Sequence, residues 1–253
     1  MISLDGWRFD EYFAEMRVPS KTPDFILQAR GMVRSCGIEN HVFFDFCKEN
    51  KGALIEWTKQ ECIITNHFSL SLFSLLGLIR NVHLRSMLIP VLAGEHSPLK
   101  DGIAYGSHPN LLARLIDDLG IDTDSLNAEN FTVEFVDLLF SENYPICYRF
   151  GVLGVGNEAL LVPEYKAVSL AFDHHYPRGV HRPFLTANIE EDRIHSKVME
   201  DAAMLLCNDA ETQDSFIQGA RDGIQARFRY YDKMLDFLKK IRDGRIRRAL
   251  QSF

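Results

Sequence analysis

The segment NIEEDRIH at residues 188–195 combines amide, carboxylate and imidazole side chains that can bind a metal ion. On an α-helix the positions i, i+4 and i+7 share one face, so Asn188, Asp192 and His195 should point the same way. Carboxylate and imidazole suit redox-active iron or manganese, and helical bundles often carry an acid and a histidine three residues apart. The same segment also fits a simple surface pair of Glu191 with His195, so the spacing alone does not establish a metal site.

A second candidate is Glu158, which lies in the otherwise apolar run GVLGVGNEALLVP at 151–163. A helix that is apolar on all sides is buried, and a buried carboxylate needs a cation, a metal ion or a proton. Arg149 or Arg178 could supply an ordinary ion pair instead. The three glycines of the run weaken a helix by ~1 kcal/mol each, which indicates the close approach of another helix.

A third pair is Glu95, at the end of the apolar segment LAGEH, and His108, at the start of SHPNLL. Ser107 before His108 and Pro109 is a typical helix start, and Gly120 is a typical stop. The helix dipole disfavours a charged histidine at a helix start, which leaves a neutral ligand or an exposed side chain. Taken alone, the pair is better explained by solvated side chains than by metal ligands.

Helical periodicity runs along the whole chain, and alternating strand patterns are absent. With no internal repeat and no linker, we predict a single all-α domain over residues 1–253, a helical bundle whose core can hold a site between facing helices. The predicted helices cover residues 6–17, 22–35, 39–50, 54–80, 83–96, 107–119, 129–142, 146–171, 181–208 and 211–242.

Composition excludes several classes of protein. The chain has 253 residues, 46% of them hydrophobic and 25% charged, which is globular rather than disordered composition. The net charge of −7 and the lack of a basic stripe argue against nucleic acid as a partner. Five cysteines without a CxxC pair, and an N-terminus unlike a signal peptide, favour the cytoplasm. The apolar stretch 68–79 is too short to span a membrane.

The order of these segments resembles the heme-oxygenase-like diiron oxidases and oxygenases. Their superfamily also includes CADD-like proteins, the pyrroloquinoline-quinone-synthesis oxidase and thiaminase II proteins. The resemblance covers most of the chain. It implies a heme-oxygenase-like helical bundle whose metal ligands are Glu95, His108, Glu158, Asp192 and His195, with Asn188 at a further ligand position and Glu158 in the catalytic role.

Two departures from the family pattern concern the ligands. Asn188 stands where the family has a histidine, and an amide oxygen is a weaker ligand than imidazole. The gap between Glu95 and His108 is also longer than in the family, so Asp101 is an alternative to Glu95. Five ligands suffice for one firmly held iron ion, and a second ion would be weak, transient or absent.

The resemblance implies O2 activation at one or two non-heme iron ions, with a small carboxylate-bearing substrate such as an amino acid or a fatty acid. Arg149, Arg178 or Arg193 could bind that carboxylate. The alternatives are a metal-free enzyme of the same fold, in which Glu158 acts as an acid or base, and a non-catalytic protein that docks a partner. The apolar stripe of residues 228–238 could serve such docking, or form core or a dimer interface. A homodimer is a family expectation.

Overall fold

The computed structural model describes residues 13–96, 106–140 and 142–244, and these fold as an all-α bundle without strands, as predicted. Short 3-10 turns follow the first helix and precede the seventh. The helices are α1 Asp24–Cys36, α2 Val42–Glu49, α3 Lys51–Leu78, α4 Val82–Met87, α5 Ile89–Glu95, α6 His108–Asp118, α7 Asn130–Phe140, α8 Ile146–Phe150, α9 Ala159–His175, α10 Arg182–Leu206 and α11 Ala210–Arg242.

Most predicted helices are confirmed to within a few residues, and one was wrong. The predicted helix 83–96 is two helices, α4 and α5, which divide at Leu88. Pro90 explains the break, because proline has no N–H and its ring clashes with the carbonyl four residues before it. The predicted helix 6–17 lies mainly outside the described residues, and its described end, residues 14–17, is not helical.

Residues Gly151–Glu158 form a π-helical segment that joins α8 to α9 and is buried throughout. The close helix approach expected from its glycines is confirmed. A Cβ on Gly156 would lie 2.5 Å from the Cα of Gly223 on α11, and one on Gly154 would lie 2.7 Å from the Cβ of Met199 on α10. Glycine therefore allows the backbone that carries Glu158 to lie directly against two neighbouring helices. π-Helical turns are rare in proteins, and those that occur are frequently found at functional sites.

The helix α10 packs against α9, the π-helical segment, α5 and α6, and the last three of these elements carry Glu158, Glu95 and His108. Ser107 is the N-cap of α6 and Pro109 lies in its first turn, although the Ser107 side chain makes no capping hydrogen bond. Gly120, with φ 65°, follows the end of α6 as expected. The short helices α5 and α6 thus end and begin at Glu95 and His108, beside the middle of α10.

The apolar stripe of α11 belongs to the core: Tyr230, Tyr231, Met234 and Leu238 are buried. The docking alternative therefore loses the surface on which it rested.

The helix α3 is the one described helix that is long and apolar enough to cross a membrane by length and composition. Core helices of soluble proteins pass the same test, and α3 buries Glu56, Gln60 and Glu61 within the bundle.

Candidate metal centre

Glu158, Asp192 and His195 form what we call the inner cluster. One ligand atom from each lies within 4.8 Å of the others, and all three side chains are buried. His195 Nδ1 is 3.6 Å from Glu158 Oε2 and 3.5 Å from Asp192 Oδ1. These separations are too long for hydrogen bonds, and each of the three side chains has a buried polar atom without a partner. The structure thus brings together three of the residues that the resemblance implies as metal ligands.

Within the described ranges, protons on its own members balance the charge of the inner cluster. Burial alone would lower the pKa of His195, but contact with Asp192 and Glu158 outweighs burial and raises that pKa to about 10. Burial, followed by the charge of Glu158, raises the pKa of Asp192 well above its usual range. Among the described residues, no lysine or arginine pairs with Glu158 or Asp192. The ordinary ion pair considered for Glu158 does not form.

Glu95, His108 and Glu191 form a neighbouring group, which we call the outer cluster. His108 Nδ1 lies 2.8 Å from Glu95 Oε1, and His108 Nε2 lies 3.3 Å from Glu191 Oε2. Glu95 and His108 are buried, whereas the side chain of Glu191 is 40% exposed. The rings of His108 and His195 are 5.8 Å apart between centroids, so the two clusters are adjacent.

Asn188 is buried on the same helix, and its amide nitrogen donates to the Phe184 carbonyl oxygen at 2.7 Å. Its carbonyl oxygen is therefore the atom left for a ligand role. Asp101, the alternative to Glu95, lies outside the described residues.

The three arginines considered for substrate binding do not contact either cluster among the described residues. Arg149 is buried, donates to Ser74 Oγ at 3.1 Å, and lies nine residues before Glu158 in the chain. Arg178 and Arg193 are exposed. These positions therefore do not identify any of the three arginines as the residue that binds a substrate carboxylate.

A second buried charged cluster shows how this protein stabilises carboxylates without a metal ion. Arg227 on α11 lies between Glu61 on α3 and Glu164 on α9, 3.1 Å from Glu61 Oε2 and with its Nε 2.8 Å from Glu164 Oε2. The hydroxyls of Tyr165 and Tyr231 donate to the same carboxylates. A fixed cation and several donors compensate this cluster, whereas the described part of the chain supplies no such cation to the inner cluster.

A cation fits the inner and outer clusters better than it fits any other place in the described chain. Buried atoms without partners include Glu95 Oε2, His108 Nε2, Glu158 Oε2, Asp192 Oδ2 and His195 Nδ1. Buried polar atoms are normally satisfied, so five such atoms in two adjacent clusters point to a missing positive partner. Carboxylate oxygens and imidazole nitrogens are the donor set that iron or manganese prefers.

Glu191 was not predicted to be a member of the site, because its spacing to His195 fits a surface pair equally well. The signal that could have found it is its position three residues after Asn188, which places it at the edge of the same helix face. Its partner in the structure is His108, on a different helix, and no spacing in the sequence reveals that contact.

Comparisons with known proteins identify the family and the fold. A family model described as an iron-containing redox enzyme matches residues 55–228. A solved structure of a CADD-like protein of unknown function from Nostoc punctiforme aligns with a TM-score of 0.63 at 15% identity, covering 84% of this chain and 96% of that chain. That likeness shows the fold. No curated protein matches the chain.

Proposed function

Since the chain belongs to the family of iron-containing redox enzymes, we propose that it is a non-heme iron-dependent oxidase or oxygenase. It would activate O2 to modify a small carboxylate-bearing substrate such as an amino acid or a fatty acid, in a biosynthetic reaction. The observation that carries this proposal is the inner cluster, where two buried carboxylates and a buried imidazole converge without a fixed cation.

Glu158, Asp192 and His195 would hold one iron ion, with Glu95 and His108 beside them and Asn188 as a further oxygen donor. Iron, when bound, supplies the one-electron chemistry by which O2 is reduced and a substrate is oxidised. Negative charge from the carboxylates favours the more oxidised metal, and the histidines fix its orientation.

The protein's own residues prepare the site in two ways. Contact with Asp192 and Glu158 keeps a proton on His195. His195 must release that proton before its nitrogen can bind a cation. Glu158 and the apolar residues Val152, Leu153 and Val155 of the same π-helical segment are buried, so this carboxylate lies away from bulk water.

A specific observation supports a metal-free enzyme as the second candidate. Without a metal ion the inner cluster is an acid–base set, because protons on His195 and Asp192 balance its charge. Such a set could move protons on a substrate, with Glu158 as acid or base. Asn188, in place of a histidine ligand, is consistent with this candidate.

We also propose a cytoplasmic location and a homodimer, on the basis of cysteine usage and family resemblance respectively. The negative net charge supports a small-molecule substrate rather than nucleic acid.

The deciding experiment measures iron by elemental analysis after anaerobic Fe(II) loading and desalting, followed by O2 uptake on exposure to air. The variants are Glu158→Ala and the similarly sized Glu158→Gln. The control is Glu190→Ala, which removes a carboxylate from the exposed side of α10.

Near-stoichiometric iron and O2 uptake in the native protein and in Glu190→Ala, lost in both Glu158 variants, is the expected result. No retained iron in the native protein would reject the oxidase and leave the metal-free enzyme, whose turnover should resist chelators.

A further inference from the structure

We propose that Glu191 is a protein ligand of a second metal ion, which it holds together with His108 in the outer cluster, while Glu95 orients the His108 ring. The inference rests on the proposed function, because it assigns a further residue to the same metal centre. It also accounts for how the chain could hold a second ion although Asn188 replaces the expected histidine.

The contact with Glu95 fixes the tautomer of His108. Its Nδ1 faces Glu95 Oε1 at 2.8 Å, so the carboxylate holds the ring proton on Nδ1. A neutral imidazole has one N–H and one lone pair, and the lone pair of His108 is therefore on Nε2. A carboxylate at one nitrogen is the usual partner of a histidine whose other nitrogen binds a metal ion.

The lone pair on His108 Nε2 faces a carboxylate oxygen of Glu191. Glu191 Oε2 lies 3.3 Å from His108 Nε2, yet Nε2 has no well-aligned hydrogen bond. Two acceptor atoms at this separation repel each other unless a cation lies beside both. Neighbouring ligands of an octahedral ion bound at ~2.1 Å stand about 3 Å apart, which matches this separation.

Gly94 on α5 lies where the inner and outer clusters meet. A Cβ on this residue would lie 2.9 Å from Glu191 Oε2 and 2.8 Å from His195 Nε2. One side chain of the outer cluster and one of the inner cluster thus approach the same point of the α5 backbone. The two clusters meet there, so ions held in them would be neighbours.

Glu191 differs from the other candidate ligands because its side chain is 40% exposed. The ion that it holds would lie on the solvent side of the centre, with the ion of the inner cluster behind it. We therefore expect the outer ion to bind more weakly and to exchange faster.

The test is anaerobic titration with Fe(II), read by elemental analysis and by Mössbauer spectra of 57Fe, neither of which depends on turnover. The variants are Glu191→Ala and Glu191→Gln. The control is Glu190→Ala, which makes the same change of charge at the neighbouring, exposed position. Circular dichroism checks that each variant is folded.

We expect two ions in the native protein and in Glu190→Ala. In both Glu191 variants the second ion should bind at least ~10–100-fold more weakly, the range for losing even an outer partner of a ligand. Its Mössbauer component should disappear at the loading that saturates the native protein.

Three results would overturn the assignment while leaving the proposed function intact: a single ion in the native protein, two ions held equally well by both variants, or two ions in Glu191→Gln but not in Glu191→Ala. The last would make Glu191 a hydrogen-bond partner of His108. No iron in the native protein would instead reject the proposed function itself.

Discussion

Gly94 lies so close to His195 that a Cβ atom at position 94 would stand 2.5 Å from Cε1 of the imidazole ring. Because Gly94 has no side chain, α5 leaves room for the His195 ring of α10. The contact atoms belong to the end of a side chain, so a larger residue would displace the ring before it disturbed the helices.

We predict that Gly94→Ala lowers the affinity for Fe(II) by ~10–100-fold, the range found when the orientation of a ligand is disturbed. Isothermal titration under anaerobic conditions measures it. Gly77→Ala is the control, because no atom lies within 4 Å of its Cβ position on α3. Unchanged affinity in Gly94→Ala would show that His195 does not need its present orientation.

Gly156→Ala should destabilise the protein by at least ~1–3 kcal/mol, because its Cβ would meet the backbone of Gly223 rather than a movable side chain. Chemical denaturation measures the free energy of unfolding. The control is Gly31→Ala on α1, where a Cβ meets nothing within 4 Å and alanine favours the helix. Equal stabilities of the two variants would contradict the close packing of the π-helical segment on α11.

Arg227→Met should lower the free energy of unfolding by about 3–5 kcal/mol, since it leaves two buried carboxylates, Glu61 and Glu164, without their cation. Lys233→Met is the matched control on the same helix. Lys233 pairs with Glu134 at the surface, and such pairs contribute at most ~1 kcal/mol. A loss no larger than that of the control would mean that the carboxylates become protonated at little cost.

The stability of the metal-free protein should fall as pH rises from ~6.5 towards 10. The folded-state pKa of His195 is about 10, above the ~6.5 of an unfolded histidine, so the folded protein binds more protons in this window. The raised pKa of Asp192 acts in the same direction. The stabilisation that comes from His195 is complete below pH ~6.5, and it is lost as the pH rises through the folded-state pKa of about 10.

Thermal unfolding at a series of pH values measures this slope. We expect a smaller slope in His195→Gln and an unchanged slope in His83→Gln, whose side chain is exposed on α4. Metal loading should also reduce the slope, because the ion replaces the protons. Stability that rises with pH over this range would contradict the proton-balanced inner cluster.

The helical architecture could be predicted from the sequence because periodicity is a local property. Glu158 was identifiable for a related reason: one carboxylate in an apolar run must find a compensating partner wherever the helix lies. Asp192 and His195 followed from spacing on a single helix. In each of these cases the information lies within one turn or one element of the chain.

Relations between helices could not be predicted in the same way. Glu191 faces His108 from another helix, and Arg227 lies between carboxylates that come 166 and 63 residues before it in the chain. The division between α4 and α5 has a different cause. Pro90 is visible in the sequence, but the apolar pattern continues across it and predicts one helix. The π-helical path of Gly151–Glu158 also depends on close packing against α10 and α11, which a single sequence does not reveal.

The charged group formed by Glu61, Glu164 and Arg227 has a consequence for how the bundle assembles. If α3 and α9 packed first, they would bring two carboxylates together in an apolar interior with no cation. Arg227 arrives only with α11, which follows both helices in the chain. Partly assembled states that lack α11 are therefore penalised electrostatically, and the three helices should complete their packing in one concerted step.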